Sequence, residues 1–215
     1  MSTTSSSNMT QIVYEKIKEM MLDYKIVPGQ RLVFSDLAEK LGVSRTPVNN
    51  ALSLLAQEGF LDLVHHQGYR VHELTREEAD SLMELRLMLE LGSLKQIIKH
   101  ITAPRIKLLE EKKILYEKAA LRGVSRASFI INEEFHSCYM EISKNLYLML
   151  YYREINQRVF VRHRVEGYSP ERTEEVIREH NFIFDAICKK DLNMAKKAVK
   201  DHIIAGKEYV LSLYN

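Results

Sequence analysis

The sequence predicts a mostly α protein: a small three-helix unit carrying one β-hairpin, followed by an all-α bundle of six to seven helices. Three observations lead there. Glycine and proline are sparse, 8 and 4 in 215 residues, so long stretches carry no breaker. Apolar residues recur at helical spacing along most of the chain. Strict alternation is confined to one short segment after residue 60.

Composition bounds the rest. A formal charge of +2 and 46% hydrophobic residues suit one large or two small globular domains. Cys138 and Cys188 are far apart and show no CxxC spacing, which predicts reduced thiols and a cytoplasmic setting. No apolar run reaches the length of a membrane span, so no membrane partner is expected. The start, MSTTSSSNMT, lacks the basic and apolar regions of a signal peptide. It reads as a disordered leader over residues 1–8, ahead of domains at 9–73 and 74–215.

In the first domain, Ile12, Val13, Ile17, Met20 and Met21 mark a helix that stops before a Pro28-Gly29 turn. A second helix is expected from Ser35, as N-cap, through Leu37, Ala38 and Leu41. Gly42 ends it in a left-handed cap. Ser44 caps a third helix, with Arg45, Thr46 and Pro47 in its first turn. Backbone N–H groups there have no intrahelical partner, so a proline costs little. Val48, Ala51, Leu52 and Leu55 then share one face, and the helix ends at Gly59.

Two helices joined by a short glycine turn form a helix-turn-helix, which offers the N-terminal residues of its second helix to the major groove. Arg45 suits a guanine edge or a phosphate, and Thr46 a phosphate. The free N–H groups of that helix end attract phosphate too. Next, Leu61 and Leu63 alternate with Asp62, and Tyr69 and Val71 alternate with Arg70 and His72, around a turn at His65, His66, Gln67 and Gly68. This hairpin reads as a wing whose tip meets DNA. Charge gives no global support, since residues 1–74 hold seven Lys/Arg against eight Asp/Glu. Locally, Arg45 to Gln57 carries one positive charge and no negative one.

The PG-x-RL turn, the LAE-x-LGVSRTPV core, the AL-x-x-L-x-x-EG exit and the G-Y-x-V wing together resemble the winged-helix domain of GntR-family bacterial transcription regulators, over residues 11–73. The resemblance implies DNA contacts from Ser35, Ser44, Arg45, Thr46, Pro47, Asn49, His66, Gly68 and Arg70. Relatives usually read Arg-Glu after Thr-Pro-Val, whereas this chain has Asn49-Asn50. A variant operator follows, because Asn can bond bidentately to adenine.

In the second domain Thr75 and Glu78 form a capping box that opens a helix carrying Ala79, Leu82, Met83, Leu85, Leu89 and Leu91. Further helices are expected at roughly 104–121, 126–143, 146–164, 171–189 and 192–213. The breaks fall at Gly123, Lys144-Asn145, Gly167 to Pro170 and Lys190-Asp191, with Asp191 as an N-cap. Asn132 and His136 lie four apart on one helix face. His180 and His202 sit among apolar residues of two other helices. A lone seam histidine is ordinarily a hydrogen-bonded core residue, but three in one bundle point to a site for a borderline divalent cation.

Residues 77–213 resemble the FCD-type effector domain of the FadR-like GntR branch, through Arg86 and Glu90, the FH pair, EH-x-x-I-x-x-AI and the closing H-I. That resemblance implies a metal site of His136, His180 and His202, with Asn132 where an Asp is usual. Zinc, nickel and manganese are all open. It also implies a small carboxylate effector, for which Arg86, Arg158 and Arg162 are candidate clamps. The expected function is a ligand-responsive regulator, read as a repressor, binding a palindromic double-stranded operator as a homodimer. The alternatives are a metal-dependent enzyme using the three histidines, or a regulator whose histidines bind the ligand without metal. For the enzyme, Glu133 and Glu134 are the nearest bases in sequence, and both are expected to point away from the site.

Overall fold

The computed structural model describes residues 3–65, 67–123, 125–162 and 169–214; for residues 3–7, 126 and 160–162 only the backbone is described. His66, His163 and Gly167 therefore lie outside the described residues, as does the side chain of Arg162. The chain divides into two units, one of residues 1–74 with 157–164, the other of 75–156 with 165–215.

The first unit holds α1 (Thr3–Leu22), β1 (Arg31–Leu32), α2 (Phe34–Leu41), α3 (Arg45–Gln57), β2 (Leu61–Val64) and β3 (Gly68–Val71). Helix α1 starts at Thr3, inside the segment expected to be a disordered leader. No glycine or proline interrupts Thr3 to Leu22, so nothing in the backbone stops the helix from extending. Val13, Ile17 and Met21 bury one face of α1 against Val48, Ala51, Leu52 and Leu55 of α3 in the unit's core. Gly42 adopts the left-handed conformation (φ 66°) and closes α2, as its position predicts.

Helix α2 begins two residues earlier than expected. Its N-cap is Val33, which makes no capping bond, while Ser35 Oγ donates to Asp36 instead (3.0 Å). An apolar N-cap forgoes about 1 kcal/mol relative to Ser, Thr, Asp or Asn. Ser44 does occupy the N-cap of α3, yet its hydroxyl makes no capping bond either. Pro47, at the third helical position, has no N–H and so removes one of the two donors such a cap can use.

The expected hairpin is the greater part of a three-stranded antiparallel sheet in the order β1-β3-β2. Arg31 and Leu32 add an edge strand that alternation cannot reveal in two residues. Gly68 has φ +83°, and a Cβ there would meet the Leu32 carbonyl at 3.5 Å. The positive φ is what favours glycine there, and Arg31 Nε donates to the Gln67 carbonyl to brace the turn (3.0 Å).

The second unit is built of six helices: α4 (Arg76–His100), α5 (Ala103–Ala120), α6 (Arg126–Glu141), α7 (Leu146–Arg162), α8 (Pro170–Cys188) and α9 (Leu192–Ser212). Residues 157–162 of α7 belong with the first unit. The Thr75–Glu78 capping box is formed, and Asp191 accepts from the Met194 N–H. Leu94, Ile97, Phe135, Tyr139, Ile183, Ile187 and Val199 make a continuous core from α4, α6, α8 and α9. Cys138 and Cys188 are free thiols. Among the described residues, no helix is long and apolar enough to cross a membrane.

Candidate functional sites

Three histidines from three helices meet inside the second unit. His136 on α6, His180 on α8 and His202 on α9 are all buried, and each offers a ring nitrogen within 4.8 Å of the other two. Their ring centroids are 4.9 to 5.1 Å apart. The aromatic ring of Phe135 stacks on His180 at 4.4 Å, and Tyr116 packs at 4.7 Å, fixing its plane.

Two ion-paired chains orient two of the imidazoles. On one side Arg172 donates to both oxygens of Glu179 (2.6 and 3.0 Å), and Glu179 accepts from His202 Nδ1 at 2.6 Å. On the other, Arg86 Nε donates to Glu90 (2.7 Å), and His136 Nδ1 lies 2.9 Å from Tyr139 Oη and 3.3 Å from Glu90. Tyr139 donates to the same Glu90 oxygen. Glu90 accepts from Arg86 and Tyr139, and Glu179 from Arg172, so each stands as an acceptor towards its imidazole; the matching tautomer has the proton on Nδ1 and a lone pair on Nε2.

Those two Nε2 atoms are 3.1 Å apart. Two lone pairs at that distance need a positive centre beside them, either a shared proton or a cation. A shared proton leaves His180 unserved, because both of its ring nitrogens are buried without a hydrogen-bond partner. A cation answers all three. Two nitrogen ligands on one tetrahedral zinc stand about 3.3 Å apart. Burial pushes His136 and His180 well below the ordinary imidazole range, helped by neighbouring positive groups, so both are neutral as ligation requires. The residues present therefore fit a divalent metal.

Asn132, the expected fourth ligand, is half-buried one helical turn before His136, and its amide nitrogen donates to Glu133 (3.4 Å). Glu133 was expected to point away but is buried, accepting from Arg86 Nη1 at 3.0 Å. It stands three residues before His136, a spacing that shares a helix face. Burial raises its carboxyl, against the lowering effect of Arg86. Arg86, expected as an effector clamp, is largely committed to these two carboxylates, and its Nη2 alone is buried without a partner. Arg158 stands over the Phe60 ring (5.8 Å) within the first unit, not among the histidines. Sequence reasoning missed Glu179, Arg172 and Tyr139. Glu179 adjoins His180 in the sequence but serves His202, a pairing that only the packing of α8 on α9 creates.

The second candidate site is the first turn of α3. Ser44, Arg45, Thr46, Asn49 and Asn50 are exposed there, whereas Pro47 is buried and acts through its missing N–H. Arg70 is exposed on β3 and Gly68 half-buried at its start. Ser35 is exposed beside them, and a surface depression is lined by Val33, Phe34, Ser35, Arg45 and Asn49. The uncapped end of α3 thus offers free backbone donors and the Ser44 hydroxyl on a surface with no carboxylate between Arg45 and Gln57.

Comparison with known proteins agrees with this division. Residues 9–71 match the model for bacterial regulatory proteins of the gntR family, and residues 81–205 match that for the FCD domain. The HTH-type transcriptional regulator YdhC of Bacillus subtilis is 28% identical over 193 residues, covering 89% of this chain and 84% of YdhC. The Nta operon transcriptional regulator of Aminobacter aminovorans is 31% identical over 141 residues, 65% of this chain and 66% of that protein. Among solved structures, McbR/YncC of E. coli shares the fold, with a TM-score of 0.81 at 22% identity over 96% of this chain and 99% of that one. These relatives are regulators rather than enzymes, and the metalloenzyme alternative has no support. The chain belongs to the GntR family of bacterial transcription regulators, with a DNA-binding winged helix-turn-helix at its N-terminus and an FCD domain at its C-terminus.

Proposed function

We propose that this regulator binds a palindromic operator as a homodimer, acts as a repressor, and senses a small carboxylate at a divalent metal held by His136, His180 and His202. The observation that carries the proposal is His180, a buried imidazole with two unpartnered nitrogens facing two others whose lone pairs converge. A bound cation would supply a Lewis-acidic position that attracts an anion. Asn132 offers a neutral carbonyl oxygen in place of a carboxylate, so the three histidines and Asn132 leave the full 2+ charge facing an incoming acid. Arg86 Nη2, buried without a hydrogen-bond partner, is a clamp atom for that acid.

Zinc and nickel suit a set of imidazole donors better than manganese does. Homodimerisation is supported by the apolar stripe of Leu146, Tyr147, Leu150 and Tyr151, all exposed on the first two turns of α7. Paired heads would match the two-fold symmetry of a palindrome.

The test is a gel-shift titration on the DNA upstream of the protein's own gene, with zinc or nickel, and with citrate, malate and acetate as probes. Retarded DNA that one acid releases only when metal is present supports the reading. Absence of any shift at low salt, or release that ignores the metal, overturns it.

A further inference from the structure

Val33 is an anomaly of the DNA-facing surface. It is 40% exposed, and it occupies the N-cap of α2, where a Ser or Asp would both dissolve better and hold the helix end. Two-fifths of this apolar side chain stays in water in the free protein. Ser35, the residue expected as the cap, lies inside the first turn of α2, and its hydroxyl bonds to Asp36.

The surroundings suggest what the valine meets. Val33 and Phe34 line the same depression as Arg45 and Asn49. Phe34 is held edge-on against Tyr69 of the wing (5.8 Å, 83°), so the apolar wall is rigid rather than a loose side chain. Arg45 and Asn49 are one helical turn apart on α3 and therefore share a face. One wall of the depression is thus apolar and the other carries a bidentate donor–acceptor amide.

A T·A base pair has this pair of features on its major-groove edge: the thymine C5-methyl, and the N6 and N7 atoms of adenine. We infer that Val33, backed by Phe34, seats a thymine methyl while Asn49 bonds the adenine edge, so that each operator half-site carries a T·A pair at this depression. The inference rests on the operator-binding reading above and adds the base that is read. A G·C pair offers neither the methyl nor the adenine pattern.

The experiment uses the full chain and the upstream fragment it binds. Each thymine of a half-site is replaced in turn by uracil, which removes only the methyl group. One replacement should weaken wild-type binding about fourfold, the effect of one buried methyl. In Val33→Ser the same replacement should have no effect, while the thermal midpoint rises because serine caps α2. Asn49→Ala should lose the preference for adenine at the paired position by about tenfold. If binding is sequence-specific but every uracil is neutral, or if Val33→Ser keeps the methyl effect, the inference falls and the operator reading stands. If no fragment is bound specifically, both fall together.

Discussion

His202 Nε2 stands 3.1 Å from His136 Nε2, and each ring is held from behind through Nδ1, His202 by Glu179 and His136 by Glu90 with Tyr139. The two carboxylates are themselves clamped by Arg172 and Arg86. The imidazoles are therefore pre-aimed at one point, without cost at the moment of binding. Burial raises the Glu179 carboxyl, but bonds from His202 and Arg172 outweigh this and leave it below its ordinary range, so it is ionised when it orients the ring.

Glu179→Gln should weaken metal binding roughly 10- to 100-fold, because Gln can present its NH2 to Nδ1 and favour the wrong tautomer. Competition against a chromophoric zinc chelator measures this. Unchanged affinity would show that Glu179 serves Arg172 rather than the site.

Asn132→Asp should tighten metal retention and weaken the response to carboxylates, since the added charge both holds the cation and repels the acid. Zinc off-rates and the acid concentration that releases DNA should move in opposite senses. If neither moves, residue 132 lies outside the coordination shell.

Asn49→Arg should raise affinity for operators of the usual GntR type, by about 1–3 kcal/mol at one base if Arg reads guanine bidentately. Anisotropy titrations on matched G·C and A·T half-sites give the comparison. An unaltered preference would mean that position 49 does not face the bases.

Cys138 should resist thiol reagents in the native protein, because burial pushes its thiol up to about 11; burial raises Cys188 as well. The thiolate reacts, so labelling at pH 8 should be slow until denaturant is added. The native state should also lose stability as pH climbs above the ordinary thiol range, because there the unfolded chain releases a proton that the folded one keeps. Rapid native labelling at Cys138 would contradict the packing of α6.

Much of this architecture could be read from the chain, for identifiable reasons. The six C-terminal helices are separated by Gly, Asn-containing or Asp-capped breaks, and the capping box at Thr75 announces the first. Gly42 and Pro47 likewise fix the turn and the first turn of α3. Strand β1 was hidden because two residues carry no period, and the Val33 cap because it breaks the rule that locates caps. The three histidines could be grouped by helix face and by family resemblance. Their orienting partners could not, since Glu90, Glu179 and Arg172 reach the site through contacts between helices. Glu133 was misjudged through its spacing, its distance from His136 being three residues and its face therefore shared.

The most direct measurement of the central claim is equilibrium dialysis of the full chain against zinc, with His180→Ala alongside. One zinc per chain in the wild type, lost in the variant while its circular dichroism stays helical, is the result expected. A wild-type protein that retains no zinc or nickel, or a His180→Ala protein that retains as much as the wild type, would contradict it.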